Sequence, residues 1–265
     1  LKLTSPALFA RAWSAPPESP ALGPDEVHVW RVWLEQPEPV RGRLRALLDA
    51  GEMSRAERFH FARDRDRFVV ARGVLRALLG SYLGVGPEAL GFEYNSFGKP
   101  SLKHEAAAPP VRFNLSHSHG LALYAFARDR ELGVDVERVR AEFASEEVAE
   151  CFFSAREAGA LRGLRPALRT VAFFNCWTRK EAYIKAIGEG LSHPLESFTV
   201  SLAPGEPAAL LSVEGDPAQT RHWSLRELEP APGYVAALAV ERPGWRLSCY
   251  EWPDAATLRA PSSLI

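Results

Sequence analysis

The pentapeptide Gly133-Val134-Asp135-Val136-Glu137 alternates valines with carboxylates. In a strand successive side chains point to opposite faces, so Val134 and Val136 share one face and Asp135 and Glu137 the other. The chain therefore needs a sheet with an apolar side and an acidic side. Two residues of strand rise put the two acidic Cβ atoms about 7 Å apart, so ionising both is costly without a cation between them. A hard divalent ion relieves that cost, and all-oxygen ligands suit magnesium, manganese or calcium. On its own, a D-x-E pair is also an ordinary polar strand face.

A second run narrows the choice. In Trp177-Thr178-Arg179-Lys180-Glu181-Ala182-Tyr183-Ile184-Lys185-Ala186, helical spacing aligns Trp177, Glu181 and Lys185 on one face. Alone, Glu181 and Lys185 read as an exposed ion pair. Phe173, Phe174, Trp177, Ile184 and Ile187 surround them, however, so much of this helix should be buried. A buried Glu and Lys need partners, and a carboxylate beside a metal and an ammonium beside a phosphate would satisfy both.

Two further stretches hold polar chemistry. Phe113 to Gly120 reads F-N-L-S-H-S-H-G, and Ser116 to Gly120 reads as a polar turn between strands. Its serines and histidines can bind a phosphate, H-x-H can supply part of a zinc site, and the same residues can simply make a hairpin turn. Phe97-Gly98-Lys99-Pro100 presents a lysine in extended or turn backbone. Ser96 and Lys99 match S-x-x-K, but Pro100 disfavours the helical turn that a serine acylase needs. Walker loops, G-x-S-x-G and G-x-G-x-x-G are absent.

Around these residues the pattern is mixed α and β. The stretch to about Gly23 is rich in Pro, Ala and Ser and reads as irregular. A strand is expected over Val27 to Trp33, followed by two helices, and a helical segment from Ser54, with Glu57 as capping partner, to about Leu83. The basic face of that segment carries Arg55, Arg58, Arg63, Arg65, Arg67 and Arg72 and reads as solvated. Strands follow at Val111 to Leu115, Leu121 to Ala127 and Leu132 to Val136, then helices around 145–162 and 168–187, then strands near 197–202, 221–228, 233–240 and 245–251. The repeated element order predicts two related α+β halves, 1–128 and 129–265.

The 265 residues carry 32 Lys plus Arg against 33 Asp plus Glu. That balance gives no global field for nucleic acid or an anionic membrane, so an anion site must be local. Cys151, Cys176 and Cys249 make neither a disulfide framework nor a cysteine zinc site. With no apolar run of about 20 residues and no signal-peptide pattern at the N-terminus, a cytoplasmic protein is expected.

Taken in order, F-G-K-P at 97–100, F-N-L-S-H-S at 113–118, G-V-D-V-E at 133–137, W-T-R-K-E-A-Y-I-K-A at 177–186 and the G-x-G-L of Gly188 to Leu191 resemble the 4′-phosphopantetheinyl transferases of the surfactin-synthetase-activating type. The likeness runs from about Ser54 to Val200. It implies an α+β pseudo-dimer of two similar halves, acting as a monomer, with coenzyme A in the cleft between them. By position, Asp135, Glu137 and Glu181 would hold magnesium, with manganese as a substitute. Ser116, His117 and Lys99 would meet the adenosine bisphosphate portion, with Arg55 and Arg67 nearby, and Lys185 would reach the pyrophosphate. Glu181 and Lys185 would be the catalytic pair. The reaction implied is transfer of phosphopantetheine from coenzyme A to a serine of an acyl or peptidyl carrier protein. A metal-dependent phosphoesterase using water as nucleophile would need a similar acidic cluster. A non-catalytic carrier-binding module would not need all three carboxylates.

Overall fold

The computed structural model describes residues 13–18, 20–103 and 110–253, the Leu191 side chain excepted. Of the stretch expected to be irregular, residues 13–18 and 20–23 are described, and there Ser14 makes a lone bridge to Tyr250. The chain divides into two compact units. The first comprises Ser14–Glu131 and the stretch from Gly244 on, and the second centres on Leu132–Pro243. The halves expected from element order left the last strand with the second half. Its pairing assigns it to the first.

The first unit contains β1 (Glu26–Trp33), α1 (Glu38–Arg45), α2 (Ala50–Glu57), α3 (Ala62–Leu83), β2 (Phe92–Tyr94), β3 (Pro100–Leu102), β4 (Val111–Ser118) and β5 (Leu121–Arg128). In the second lie β6 (Leu132–Arg138), α4 (Glu146–Phe152), α5 (Ala155–Gly163), α6 (Pro166–Ile187), β7 (Phe198–Val200), β8 (Leu210–Val213), α7 (Gln219–His222), β9 (Trp223–Leu228) and β10 (Tyr234–Glu241). The last strand, β11 (Arg246–Glu251), runs parallel to β1 and completes a four-stranded sheet in the order β11-β1-β5-β4. The second unit has a three-stranded antiparallel sheet, β6-β10-β9, and a β7-β8 ribbon.

Each unit is built on one 22-residue helix. In the first, Val70, Val74, Leu75, Leu78 and Tyr82 of α3 pack in one core with Trp30, Phe113, Tyr124 and Phe126 of the sheet. In the second, Phe173, Phe174, Ala182 and Ala186 of α6 pack with Leu225, Ala237 and Ala239. Both helices stop at a glycine with left-handed backbone, Gly84 and Gly188, whose N–H closes the last turn. These are the two similar α+β halves.

The helix expected to begin at Ser54 begins after Asp49 instead. Asp49 and Glu52 form a reciprocal capping box, α2 ends at Glu57, and α3 starts at Ala62 after an extended Phe61. Two D/S-x-x-E signatures compete here, and the winning one has extra anchors. Glu52 accepts from Arg72 Nε at 2.8 Å and from Arg76 Nε at 2.6 Å, and Arg76, with no solvent exposure, also donates to the carbonyls of Pro87 and Leu90. Arg72 is therefore a buried partner of Glu52 and not part of a solvated face.

Strand β6 and helix α6 make the tightest approach in the second unit. Gly133 faces the α6 backbone, and a Cβ there would overlap the Ala182 carbonyl oxygen and the Ala186 nitrogen. Strand alternation then sends Asp135 and Glu137 toward the side that Gly133 occupies. Among the described residues no helix is long and apolar enough to cross a membrane. Gly133→Ala should lower stability by about 1–3 kcal/mol, the scale of overpacking a close contact, read as a lower urea midpoint at unchanged slope. An unchanged midpoint would show that β6 and α6 can separate freely.

Candidate active site

In the second unit the acidic strand meets the charged helix face. Asp135 is buried and accepts from Lys185 Nζ at 2.6 Å. Glu137, on the same face of β6, and Glu181, on α6, are half-buried. Burial pushes the Glu181 carboxyl up to about 7, Lys185 pulls it down, and the negative charges of Asp135 and Glu137 push it up again. Three carboxylates and one ammonium thus act on each other within one locality.

Two cations of the same helix go elsewhere. Arg179, almost fully buried, donates to the Ser201 carbonyl at 2.7 Å and pairs with Glu227 at 2.8 Å. Lys180, equally buried, pairs with Glu157 at 2.8 Å and donates to the carbonyls of Leu195 and Phe198. Sequence reasoning passed over both residues. The signal was the S-x-x-E capping pattern of Ser154 and Glu157, which the structure forms, since it places the Glu157 carboxylate at the start of α5. Trp177, above Glu181 on the helix face, packs against Phe143, Phe152 and Phe173.

The remaining candidates lie in the first unit. Ser116 and His117 are not in a turn, because β4 continues to Ser118 and pairs Ser118 with Leu121. Only His119 and Gly120 turn the hairpin, His119 with a positive φ of 56°. Strand alternation sends the buried Ser116 and the exposed His117 to opposite faces of the sheet. The Glu35 carboxylate lies beside Gly120, where a Cβ would project. Glu35 also accepts from Arg67 Nε at 2.8 Å. Arg67 is thereby tied to the end of the β4-β5 hairpin, while Arg55, on α2, stacks its guanidinium over Phe68 with 5.3 Å to the ring centre. The two arginines sit on separate helices, not on one continuous segment.

Lys99 closes the β2-β3 hairpin. The Asn95 side-chain oxygen accepts from the backbone N–H of Phe97 and Lys99, and Gly98 takes a φ of 84°. Lys99 Nζ lies 2.7 Å from Glu131, which also pairs with Arg112. Ser96 and Lys99 are on a hairpin turn and not on a helix, in keeping with the rejected acylase reading.

Residues 131–239 match the family described as the 4′-phosphopantetheinyl transferase superfamily, and residues 33–128 match 4′-phosphopantetheinyl transferase, N-terminal. The 4′-phosphopantetheinyl transferase HetI of Nostoc sp. is 43% identical over 239 residues, which cover 90% of this chain and 98% of that protein. The chain belongs to the 4′-phosphopantetheinyl transferase family. The 4′-phosphopantetheinyl transferase psf-1 of Bacillus pumilus is 32% identical over 76% of this chain and 82% of its own length, and Sfp of Bacillus subtilis is 26% identical over 81% and 92%. Likeness to phosphopantetheinyl transferases therefore extends on both sides of the stretch from Ser54 to Val200.

In this phosphopantetheinyl transferase the carboxylates of Asp135, Glu137 and Glu181 fit a hard divalent cation by chemistry, since their mutual repulsion is the cost such an ion removes. As the side chains stand, no three His, Cys, Asp or Glu among the described residues are gathered closely enough to hold a metal. The Lys185 ammonium neutralises Asp135 in that arrangement. Convergence of the three on one ion would require these side chains to move.

The raised Glu181 value has a pH consequence for the metal-free protein. Between about pH 4.5, the ordinary glutamate value, and about 7 the folded state holds a proton that the unfolded chain has lost, so stability should fall as pH rises through this window and level off above it. Urea unfolding with a chelator present should show that fall in wild type, on the order of a few kcal/mol, and a flatter profile in Glu181→Gln. Identical profiles would mean Glu181 is solvated like a surface carboxylate.

Proposed function

We propose that the chain moves the 4′-phosphopantetheine group from coenzyme A to a serine of an acyl or peptidyl carrier protein, with the reacting phosphates handled by the β6-α6 cluster. The observation that carries this reading is the acidic face of β6 set against a helix face bearing both Glu181 and Lys185. The shared name of the relatives supports the transferred group. A phosphoesterase with water as nucleophile finds no support among them.

Asp135, Glu137 and Glu181 would hold magnesium, which when bound neutralises charge on the pyrophosphate oxygens. The protein's own groups do the rest. Phosphoryl transfer needs alignment and charge stabilisation more than covalent help. As a carboxylate, Glu181 can take the proton from the carrier serine hydroxyl, directly or through water. That oxygen attacks the β-phosphorus, and the bond from this phosphorus to the adenosine 3′,5′-bisphosphate oxygen breaks. Lys185 leaves Asp135 to stabilise the negative charge on the departing bisphosphate, and can return a proton to it. Lys99 and one of Ser116 and His117, which point to opposite faces of β4, would serve the nucleotide end, with Arg55 and Arg67 adding positive charge.

Incubating the protein with coenzyme A, magnesium and a purified apo-carrier tests the reading. The carrier should gain the mass of one phosphopantetheine group. Hydrolysed coenzyme A beside an unmodified carrier would contradict it.

A further inference from the structure

The face of α6 that carries Glu181 and Lys185 is one of three sides of the helix, and the other two are held by buried cations. Arg179 and Lys180 follow one another in sequence, so about 100° of helix rotation separates their directions. Arg179 engages Ser201 and Glu227. Lys180 points into a site with almost no solvent exposure, built from the start of α5 and the segment leading into β7. Its ammonium lies 2.8 Å from Glu157 Oε2, 2.7 Å from the Leu195 carbonyl and 2.6 Å from the Phe198 carbonyl, with the Phe198 ring 4.1 Å away. An ammonium has three protons, and here each has an oxygen.

Glu157 is equally committed. Oε2 also accepts from the Ser154 N–H at 2.8 Å, and Oε1 accepts from the Val200 N–H at 2.7 Å. One carboxylate therefore caps α5, pins β7 and receives the lysine. A buried ion pair contributes little net stability over an apolar replacement, because desolvation offsets its attraction. It does impose a single geometry: an apolar side chain at 180 would tolerate a rolled or shifted helix, whereas three directed hydrogen bonds do not.

We infer that Lys180, through Glu157 and the Leu195 and Phe198 carbonyls, is a positioning residue that sets the roll of α6 and so aims Glu181 and Lys185 at β6. This rests on the reading of Glu181 and Lys185 as the reacting pair. The role separates from general stabilisation, because the lysine touches neither the acidic face of β6 nor Glu181's partners there.

Two variants test it, Lys180→Met and Lys180→Met/Glu157→Gln. The first leaves a buried carboxylate without its ammonium and should unfold at lower temperature. The second removes the leftover charge while a glutamine oxygen can still accept from the Val200 or Ser154 N–H, so it should regain part of the lost Tm. Turnover and KM for coenzyme A are measured for each variant at a temperature where circular dichroism shows it fully folded. The expected result is a kcat about 10-fold or more below wild type in both variants, with KM for coenzyme A changed less than about threefold, the sensitivity to misplacement of a reacting group. A double variant whose kcat returns together with its Tm, wild-type kcat in both, or failure of both to fold would overturn the inference, since the pair would then serve the fold alone. Glu181→Gln is assayed alongside: near-normal turnover there sinks the reading of the reacting pair, whereas an impaired Glu181→Gln beside a fully active double variant sinks only the positioning role.

Discussion

At Gly133 a strand and a helix touch backbone to backbone, and the chemistry of the second unit follows from that contact. Any larger residue would hold β6 away from α6. With the gap closed, the alternation of the strand delivers Asp135 and Glu137 to the side the helix covers, and the four-residue spacing of the helix delivers Glu181 and Lys185 to meet them. The results are a buried carboxylate paired with an ammonium at 2.6 Å and a second carboxylate whose ionisation is opposed by burial and by its neighbours. Those charges sit in a locality whose polarity a phosphate and a divalent cation would complement.

The first unit uses buried charge differently. Glu52 holds Arg72 and Arg76 under α2, and these groups are satisfied by one another and by backbone carbonyls. Glu157 with Lys180 is the counterpart in the second unit. Both carboxylates are capping-box residues, so in each case the group that starts a short helix also receives a cation from the long helix beside it. Completed networks of this kind hold geometry, whereas in the β6-α6 cluster burial and two neighbouring carboxylates oppose the ionisation of Glu181. A perturbed carboxyl of that kind distinguishes a candidate site from a structural ion pair.

Much of this was readable from side-chain periodicity. The strand over Leu132 to Val136 and the helix ending at Ile187 stand within two residues of their expected bounds, because alternation and helical spacing are strong there. The proximity of Asp135, Glu181 and Lys185 was readable for the same reason. Errors arose where local signals compete or where tertiary partners decide. Ser54 and Asp49 offer equivalent caps, and only the distant arginines select Asp49. Ser116 to Ser118 look like turn residues, yet cross-strand pairing extends β4 through them. Arg72 looks like surface charge, and Arg179 and Lys180 carry no local sign of a role, until Glu52, Glu227 and Glu157, remote in sequence, are seen to receive them. Nothing local could have placed β11 beside β1 from the far end of the chain.

The account stands or falls on the charge of one side chain at the β6-α6 contact. Lys185→Ala removes the ammonium that pairs with Asp135 without touching the buried networks that hold α6. Its turnover at saturating coenzyme A and magnesium, with folding checked by circular dichroism, is the most direct measurement. A kcat lower by roughly 10²-fold or more, the scale for a lost electrostatic group in the transition state, is the predicted result. Turnover close to wild type would contradict the account and leave this helix face a structural one.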